Sequence, residues 1–147
     1  MKKSVILITG INGEMGHGLI ENIQKSTSKK IIGLDLGNID HNIKHYMHKS
    51  IKGSILDDEI LHYINNKYHI EEIYHLAALL SSKAEKDPSL AHQVNVGGIL
   101  KLLNLAIDQA IKNNNQIKFF FPSSIAVYGL NGLKNKSIIG KVKEEEY

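Results

Sequence analysis

The sequence predicts a doubly wound α/β domain, and three observations carry that expectation. Short β-branched runs alternate with helix-length amphipathic segments along most of the chain. The first run leads directly into a glycine-rich segment, GINGEMG, which opens a helical pattern. Finally, 147 residues without a cysteine or a solenoid period suit one domain with a sizeable core, not a disulfide scaffold or a repeat array.

Taken in order, KKSVILIT is a compact aliphatic run and reads as a buried strand. GEMGHGLIENIQKS then sets Met15, Leu19, Ile20 and Ile23 on one helical face. KKIIGLDL is a second strand ending near Asp35, and MHKSIKGS holds a short third strand after an ambiguous polar stretch over residues 37–50. DDEILHYINNKY begins with acids, which suit a helix N-terminus, and carries Ile60, Leu61 and Ile64 at helical spacing. IEEIYHLAA is a fourth strand. Pro88 is well placed to start a long helix, SLAHQVNVGGILKLLNLAIDQAIK, which NNNQ breaks before a fifth strand, IKFFFPSS. After Gly129 the pattern weakens into LNGLKNKSIIGKVKEEEY, which reads as loop. Strands and helices alternating at this length imply a parallel sheet with helices on both faces.

The composition narrows the function classes. Hydrophobic residues make up 42% and charged residues 22%, ordinary values for a soluble globular chain. No apolar stretch in the sequence approaches the ~20 residues of a membrane span, and the apolar run after the N-terminal lysines is too short for a signal peptide. A cytoplasmic location is expected. The net charge is +3, yet every basic residue is a lysine and none an arginine. Scattered lysines without arginine or a recognition motif argue against nucleic-acid binding.

Gly10, Gly13 and Gly16 lie between the first strand and first helix, where a dinucleotide pyrophosphate rests on helix N–H groups. Gly10 suits the tight turn, Gly13 the close approach and Gly16 helix packing; a plain turn would not need all three. Asp35 follows about 20 residues later at a strand end, where a carboxylate accepts hydrogen bonds from ribose hydroxyls and repels a 2′-phosphate. Without arginine to hold that phosphate, NAD is favoured over NADP. The alternative at this position is an ordinary solvated aspartate. YHLAA ends a strand in small residues that leave room for a cofactor, although such a segment is more often core. PSSIAVYG places two hydroxyls on the same carboxyl edge, where serines are more often turn or cap residues. His41, His45 and His48 would share a face if helical and could bind zinc, but metal binding is not expected.

Together, ITGINGEMG, GLDL, HLAA, VNVGG and PSSIAVYG resemble the extended short-chain dehydrogenases/reductases, the NAD-dependent epimerase/dehydratase group, over residues 3–130. Within that group, HLAALLSSKAEKDPSLAHQVNVGG with FFFPSSIAVYG is similar to the epimerase-like L-threonine 3-dehydrogenases. The resemblance implies a Rossmann fold with strand order 3-2-1-4-5. It assigns Gly10, Gly13 and Gly16 to the pyrophosphate, with backbone contacts from Asn12, Glu14 and Met15, and Asp35 and Leu36 to the adenosine ribose. Family members often have an aspartate and an aliphatic residue facing adenine; Ser54 and Ile55 stand there in this chain. Leu76, Ala77 and Ala78 would line the nicotinamide half, with Asn95 and Ser123 nearby. Ser124 would be the catalytic serine, and Ser81 and Ser82 would approach the substrate.

The family's reaction also uses a Tyr-x-x-x-Lys pair beyond the catalytic serine. Tyr128 belongs to the AVYG motif, and Tyr147 is the last residue, so the pair is expected past Tyr147. The expectation is therefore one incomplete NAD-binding domain over residues 1–147, truncated before the sixth strand and the substrate-binding part, inactive alone and forming a homodimer. The whole protein would oxidise L-threonine. A nucleotide-sugar epimerase or dehydratase, such as a UDP-glucose 4-epimerase-like enzyme, and a non-catalytic NAD-binding module are the alternatives.

Overall fold

The computed structural model describes residues 3–124, and within them five parallel strands form one sheet in the order β3-β2-β1-β4-β5. The strands are β1 (Lys3–Thr9), β2 (Lys30–Asp35), β3 (Lys49–Lys52), β4 (Tyr68–His75) and β5 (Lys118–Phe120). Helices α1 (Glu14–Ser26), α2 (His41–Lys44) and α3 (Asp58–Lys67) connect the first four strands. Then α4 (Ser81–Lys86), α5 (Pro88–His92), a π-helical turn (Gln93–Gly97) and α6 (Gly98–Asn113) lead from β4 to β5. The sequence-predicted order 3-2-1-4-5 is the observed one.

Two apolar layers sandwich the sheet, because strand side chains alternate between its faces. On one side Ile6, Ile8 and Ile31 pack with Ile20 and Ile23 of α1 and with Ile43. On the other, Val5, Leu7, Ile32, Leu34, Ile70 and Ile73 pack with Leu61 and Ile64 of α3 and Leu102 and Leu105 of α6. β1 is buried from Val5 to Thr9, as expected of a central parallel strand covered on both faces. A register shift between Val5 and Ile6 on the β1–β4 ladder leaves Glu71 as an extra residue. Lys29 Nζ reaches both Glu71 and Glu72 at 2.8 Å, which raises the lysine pKa and ties β4 to the start of β2.

Several local expectations need correction. Met15 is 57% exposed, so the buried face of α1 is Gly16, Ile20 and Ile23. β4 leaves the ladder at His75, so Leu76, Ala77 and Ala78 are loop. α4 was not anticipated, and the long helix from Pro88 is interrupted by the π-helical turn. The three-histidine face does not form: α2 ends at Lys44, and His48 N–H donates to Ile31 O as the chain returns to the sheet. Among the described residues no group of three His, Asp or Glu could hold a metal. Pro88–Asn113 is, by length and composition, apolar enough to cross a membrane, contrary to the sequence count. Here one face of that run packs on the sheet through Leu102, Leu105 and Ala106.

Candidate cofactor site

Parallel pairing brings every strand's carboxyl end to one edge, and the candidate residues gather there because each follows a strand. Main-chain bonds fasten the loops together. Gly10 N–H donates to Leu34 O at 2.9 Å, Gly53 N–H to Asp35 O at 2.8 Å, and Leu76 N–H to Thr9 O at 3.0 Å.

The three glycines divide the work differently from the sequence reading. Gly10 has φ +70°, the left-handed region, and a Cβ there would lie 2.5 Å from Ala77 N. Gly10 therefore provides both the turn and a close approach to the loop after β4. Gly16 is buried, and a Cβ on it would collide with the carbonyl of Ile11, so it seats α1 on the glycine loop and not on a strand. At Gly13 a Cβ would meet only Gly10 O, at 3.3 Å. Gly13 is the exposed N-cap of α1 and supplies no side-chain cap, and Glu14 and Met15 beside it are exposed. The N–H groups of that first turn have no intrahelical acceptor, and a bare helix N-terminus of this kind favours an anion.

Asp35 stands beside that turn. Its Oδ2 accepts from Asn12 N–H at 3.0 Å, and its Oδ1 accepts from Gly37 N–H at 3.0 Å. A carboxylate offers about four lone-pair sites, so two stay available to a vicinal diol such as a ribose. Leu36, next to it, is 68% exposed. These features fit a dinucleotide: a glycine where a Cβ would fill the cradle, a bare helix terminus and an oriented carboxylate.

The remaining expected residues fall into three groups. Leu76 packs on the α1-side core and Ala77 against Gly10, while Ala78 is exposed; all three reach the carboxyl edge. Ser123 and Ser124 are exposed just after β5, and Pro122, lacking an N–H, suits the end of that ladder. Ser81 begins α4 and Ser82 is exposed on it. Ser54 and Ile55 are differently employed. Ser54 Oγ accepts from Leu56 N–H at 3.0 Å, and Ile55 is buried in the core, in the space left by Gly98. Asn95 also acts at one remove: its Nδ2 donates to Leu79 O at 2.9 Å and its Oδ1 accepts from Leu79 N–H at 2.8 Å. It thus pins the loop between β4 and α4 from the π-helical turn. Tyr128 and Tyr147 lie outside the described residues.

Sequence reasoning missed Thr9 and His75, whose side chains meet beneath this edge, and the side-chain contacts of Asn12. It also passed over Tyr63-x-x-x-Lys67, which has the spacing of the family's catalytic pair. Lys67 Nζ donates to Tyr63 OH at 2.7 Å and lowers the phenol pKa. That pair lies in the second half of α3, towards the amino ends of the strands and beside an open groove of about 990 Å³ between α3 and α6. It is remote from the edge that carries Gly13 and Asp35.

The family model described as GDP-mannose 4,6 dehydratase matches residues 7–138, which take in the glycine loop, Asp35 and β2 to β5. The chain belongs to this family. Its members are NAD(P)-dependent Rossmann-fold enzymes of the extended short-chain dehydrogenase/reductase type. The chain is 31% identical over 132 residues to the inactive mitochondrial L-threonine 3-dehydrogenase of Homo sapiens, covering 88% of this chain and 54% of that protein. A monomeric L-threonine 3-dehydrogenase from a metagenome database, solved in its apo form, is 41% identical with a TM-score of 0.68; the match covers 84% of this chain and 37% of that one. The holo form of a GalE-like L-threonine dehydrogenase from Cupriavidus necator is 28% identical with a TM-score of 0.69, covering 83% of this chain and 37% of that one. The chain therefore spans only about half, or less, of the length of the relatives it matches.

Proposed function

We propose that residues 1–147 form the NAD-binding part of a cytoplasmic oxidoreductase that converts the 3-hydroxyl of L-threonine to the ketone of 2-amino-3-oxobutanoate. The observation that carries the cofactor half is the Asp35 carboxylate, held by the N–H groups of Asn12 and Gly37 beside the uncapped start of α1. In this reading the first-turn N–H groups of α1 receive the pyrophosphate, Asp35 receives the adenosine ribose, and Gly13 leaves room for both. Gly10 brings Ala77 and Ala78 alongside, where they would flank the nicotinamide. When bound, NAD supplies a hydride acceptor. Ser124, at the same edge, would hold the reacting hydroxyl by a hydrogen bond, and Ser81 and Ser82 would meet the rest of the substrate.

Threonine is supported by the L-threonine dehydrogenases among the relatives, whereas the description of the matching family supports a nucleotide-sugar epimerase or dehydratase as second reading. The test is calorimetric titration of the whole protein with NAD, followed by L-threonine or GDP-mannose added to the NAD complex. Binding of NAD followed by threonine alone supports the proposal. A response to the nucleotide sugar alone transfers it to the second reading, and no NAD binding removes both.

A further inference from the structure

Asn12 sits between β1 and α1, yet its side chain is spent on the loop between β2 and α2. Its Nδ2 donates to Asn38 O at 3.0 Å, and its Oδ1 accepts from Asp40 N–H at 2.9 Å. Its own N–H, as described above, holds one oxygen of Asp35, whose other oxygen is held by Gly37. A single residue of the glycine loop thus grips the 37–40 segment at two points and the strand-end carboxylate at a third. Beyond it, the segment is held by Ile39, which reaches the core, and by Asp40 Oδ2, 3.9 Å from His17 Nε2 of α1, while Asn38 and Asp40 are exposed. Asp40 in turn caps α2 by accepting from Asn42 N–H at 3.0 Å, so the grip extends to the start of that helix.

We infer that the Asn12 side chain is a positioning residue for cofactor choice, a clip that keeps Gly37 against Asp35 and thereby fixes the carboxylate where it rejects a 2′-phosphate. The inference rests on the cofactor reading above and adds a role that backbone contact alone does not give. Without the clip, the 37–40 segment has no side-chain tie to the glycine loop among the contacts described. Gly37 N–H would then leave Asp35 Oδ1, and the carboxylate could rotate about a single remaining main-chain donor. A rotating carboxylate still binds the ribose of NAD, more weakly, but it presents less fixed charge at the 2′-position. Cofactor discrimination should fall together with affinity.

Asn12→Ala removes the clip and keeps the Asn12 N–H bond to Asp35. Asn12→Asp keeps the acceptor for Asp40 N–H and loses the donor to Asn38. Affinities for NAD and NADP are measured by calorimetry, and amide hydrogen exchange is followed at Gly37 and Asp40. For Asn12→Ala, NAD affinity is expected to fall about tenfold, the worth of two ordinary hydrogen bonds, and the NAD-to-NADP ratio to narrow by about threefold or more. Exchange at Asp40 should quicken about tenfold while the β1 and β4 amides keep their rates, and Asn12→Asp should fall between the two proteins. A uniform loss for both nucleotides at constant ratio would overturn the inference, because a merely structural residue gives that result. Unchanged Asp40 exchange in both variants would overturn it too. A wild-type protein that binds neither nucleotide would overturn the cofactor reading and with it the specificity role, while Asp40 exchange would still decide whether the clip exists.

Discussion

Thr9 Oγ1 and His75 Nδ1 share a 2.8 Å hydrogen bond between the last residues of β1 and β4, which are register partners in the sheet. Both residues are buried, and the imidazole lies 5.5 Å from the ring of Phe121. From these two strand ends depart the glycine loop and the Leu76–Ala78 segment, so the pair braces the floor of the candidate site. Burial lowers the His75 pKa to about 4. The folded protein therefore prefers the neutral ring, and stability is fully present above the unfolded pKa of about 6.5. As pH falls towards 4 the unfolded chain binds the proton first, and stability declines by about 3 kcal/mol across that window. Urea midpoints at pH 7 and pH 4.5 measure the decline. A His75→Gln variant, which cannot titrate, should show a flatter dependence, and equal slopes would remove His75 as its source.

The two glycines at the start of the site separate folding from binding. Gly10→Ala places a side chain at φ +70° and into the main chain of Ala77, so a loss of about 3 kcal/mol is expected. Gly13→Ala meets only one carbonyl, at 3.3 Å, with φ at −71°, and should cost less than about 1 kcal/mol. Its methyl nevertheless stands at the exposed helix start where the pyrophosphate is proposed to lie. Thermal melting and NAD titration on both variants are the measurements. Gly13→Ala should keep its melting temperature and lose NAD binding; retained binding would move the phosphate elsewhere.

Asp35 is expected to set the cofactor preference. No arginine exists in the chain to neutralise a 2′-phosphate, and the carboxylate is already oriented by two N–H donors. NAD is expected to bind at least about tenfold more tightly than NADP, equivalent to a charge clash of ~1.4 kcal/mol. Asp35→Asn should bring the two affinities together, and equal affinities in the wild type would dismiss Asp35 as the selector.

Much of this was legible in the chain because parallel sheets advertise themselves. Val5 to Ile8 is an unbroken aliphatic run and Ile31 to Leu34 one interrupted only by Gly33, as a strand covered on both faces requires. The carboxyl-edge position of Gly10, Asp35 and Ser124 follows from that topology alone. What stayed hidden depends on side chains meeting across loops. Asn12 and Asp40 are far apart in sequence, and Asn95 looks like any helical polar residue until Leu79 folds against it. Ile55 sat at a motif position but serves the core because Gly98 vacates the space above it. The π-helical turn at Gln93–Gly97 has no periodic signature that separates it from an α-helix at this length.

The outer face of α6 bears on association. Val96 of the π-helical turn and Leu100, Leu103, Ile107 and Ile111 of α6 recur at helical spacing and are 37–76% exposed, and Phe120 and Phe121 at the edge strand are also exposed. A stripe of this kind is a common mark of an interaction surface, and β5 pairs only with β4 among the described residues. The 41%-identical L-threonine 3-dehydrogenase is described as monomeric, so the family alone does not dictate the outcome, and the exposed stripe carries the expectation. A homodimer is expected in sedimentation at micromolar concentration, weakened by Leu103→Lys with Ile107→Lys. A wild-type monomer at high concentration would contradict it.

Catalysis by these 147 residues alone is expected to be negligible, even where NAD binds. Removing a proton from an aliphatic alcohol needs a base whose pKa has been drawn towards neutrality, and a positioned base contributes about 10²–10⁴-fold. Ser124 cannot fill that role, because a serine hydroxyl is itself a poor acceptor of protons. The one Tyr-x-x-x-Lys pair within the chain, Tyr63 and Lys67, does have a lowered phenol pKa, but α3 carries it away from the carboxyl edge. A base that cannot come within hydrogen-bond reach of the substrate hydroxyl gains nothing from its pKa. Incubating the chain with NAD and L-threonine while following NADH absorbance gives the answer. No turnover is expected, and Tyr63→Phe should leave the trace unchanged. Sustained turnover lost in Tyr63→Phe would mean that α3 supplies the base, and turnover lost only in Tyr147→Phe would assign that role to the last residue of the chain.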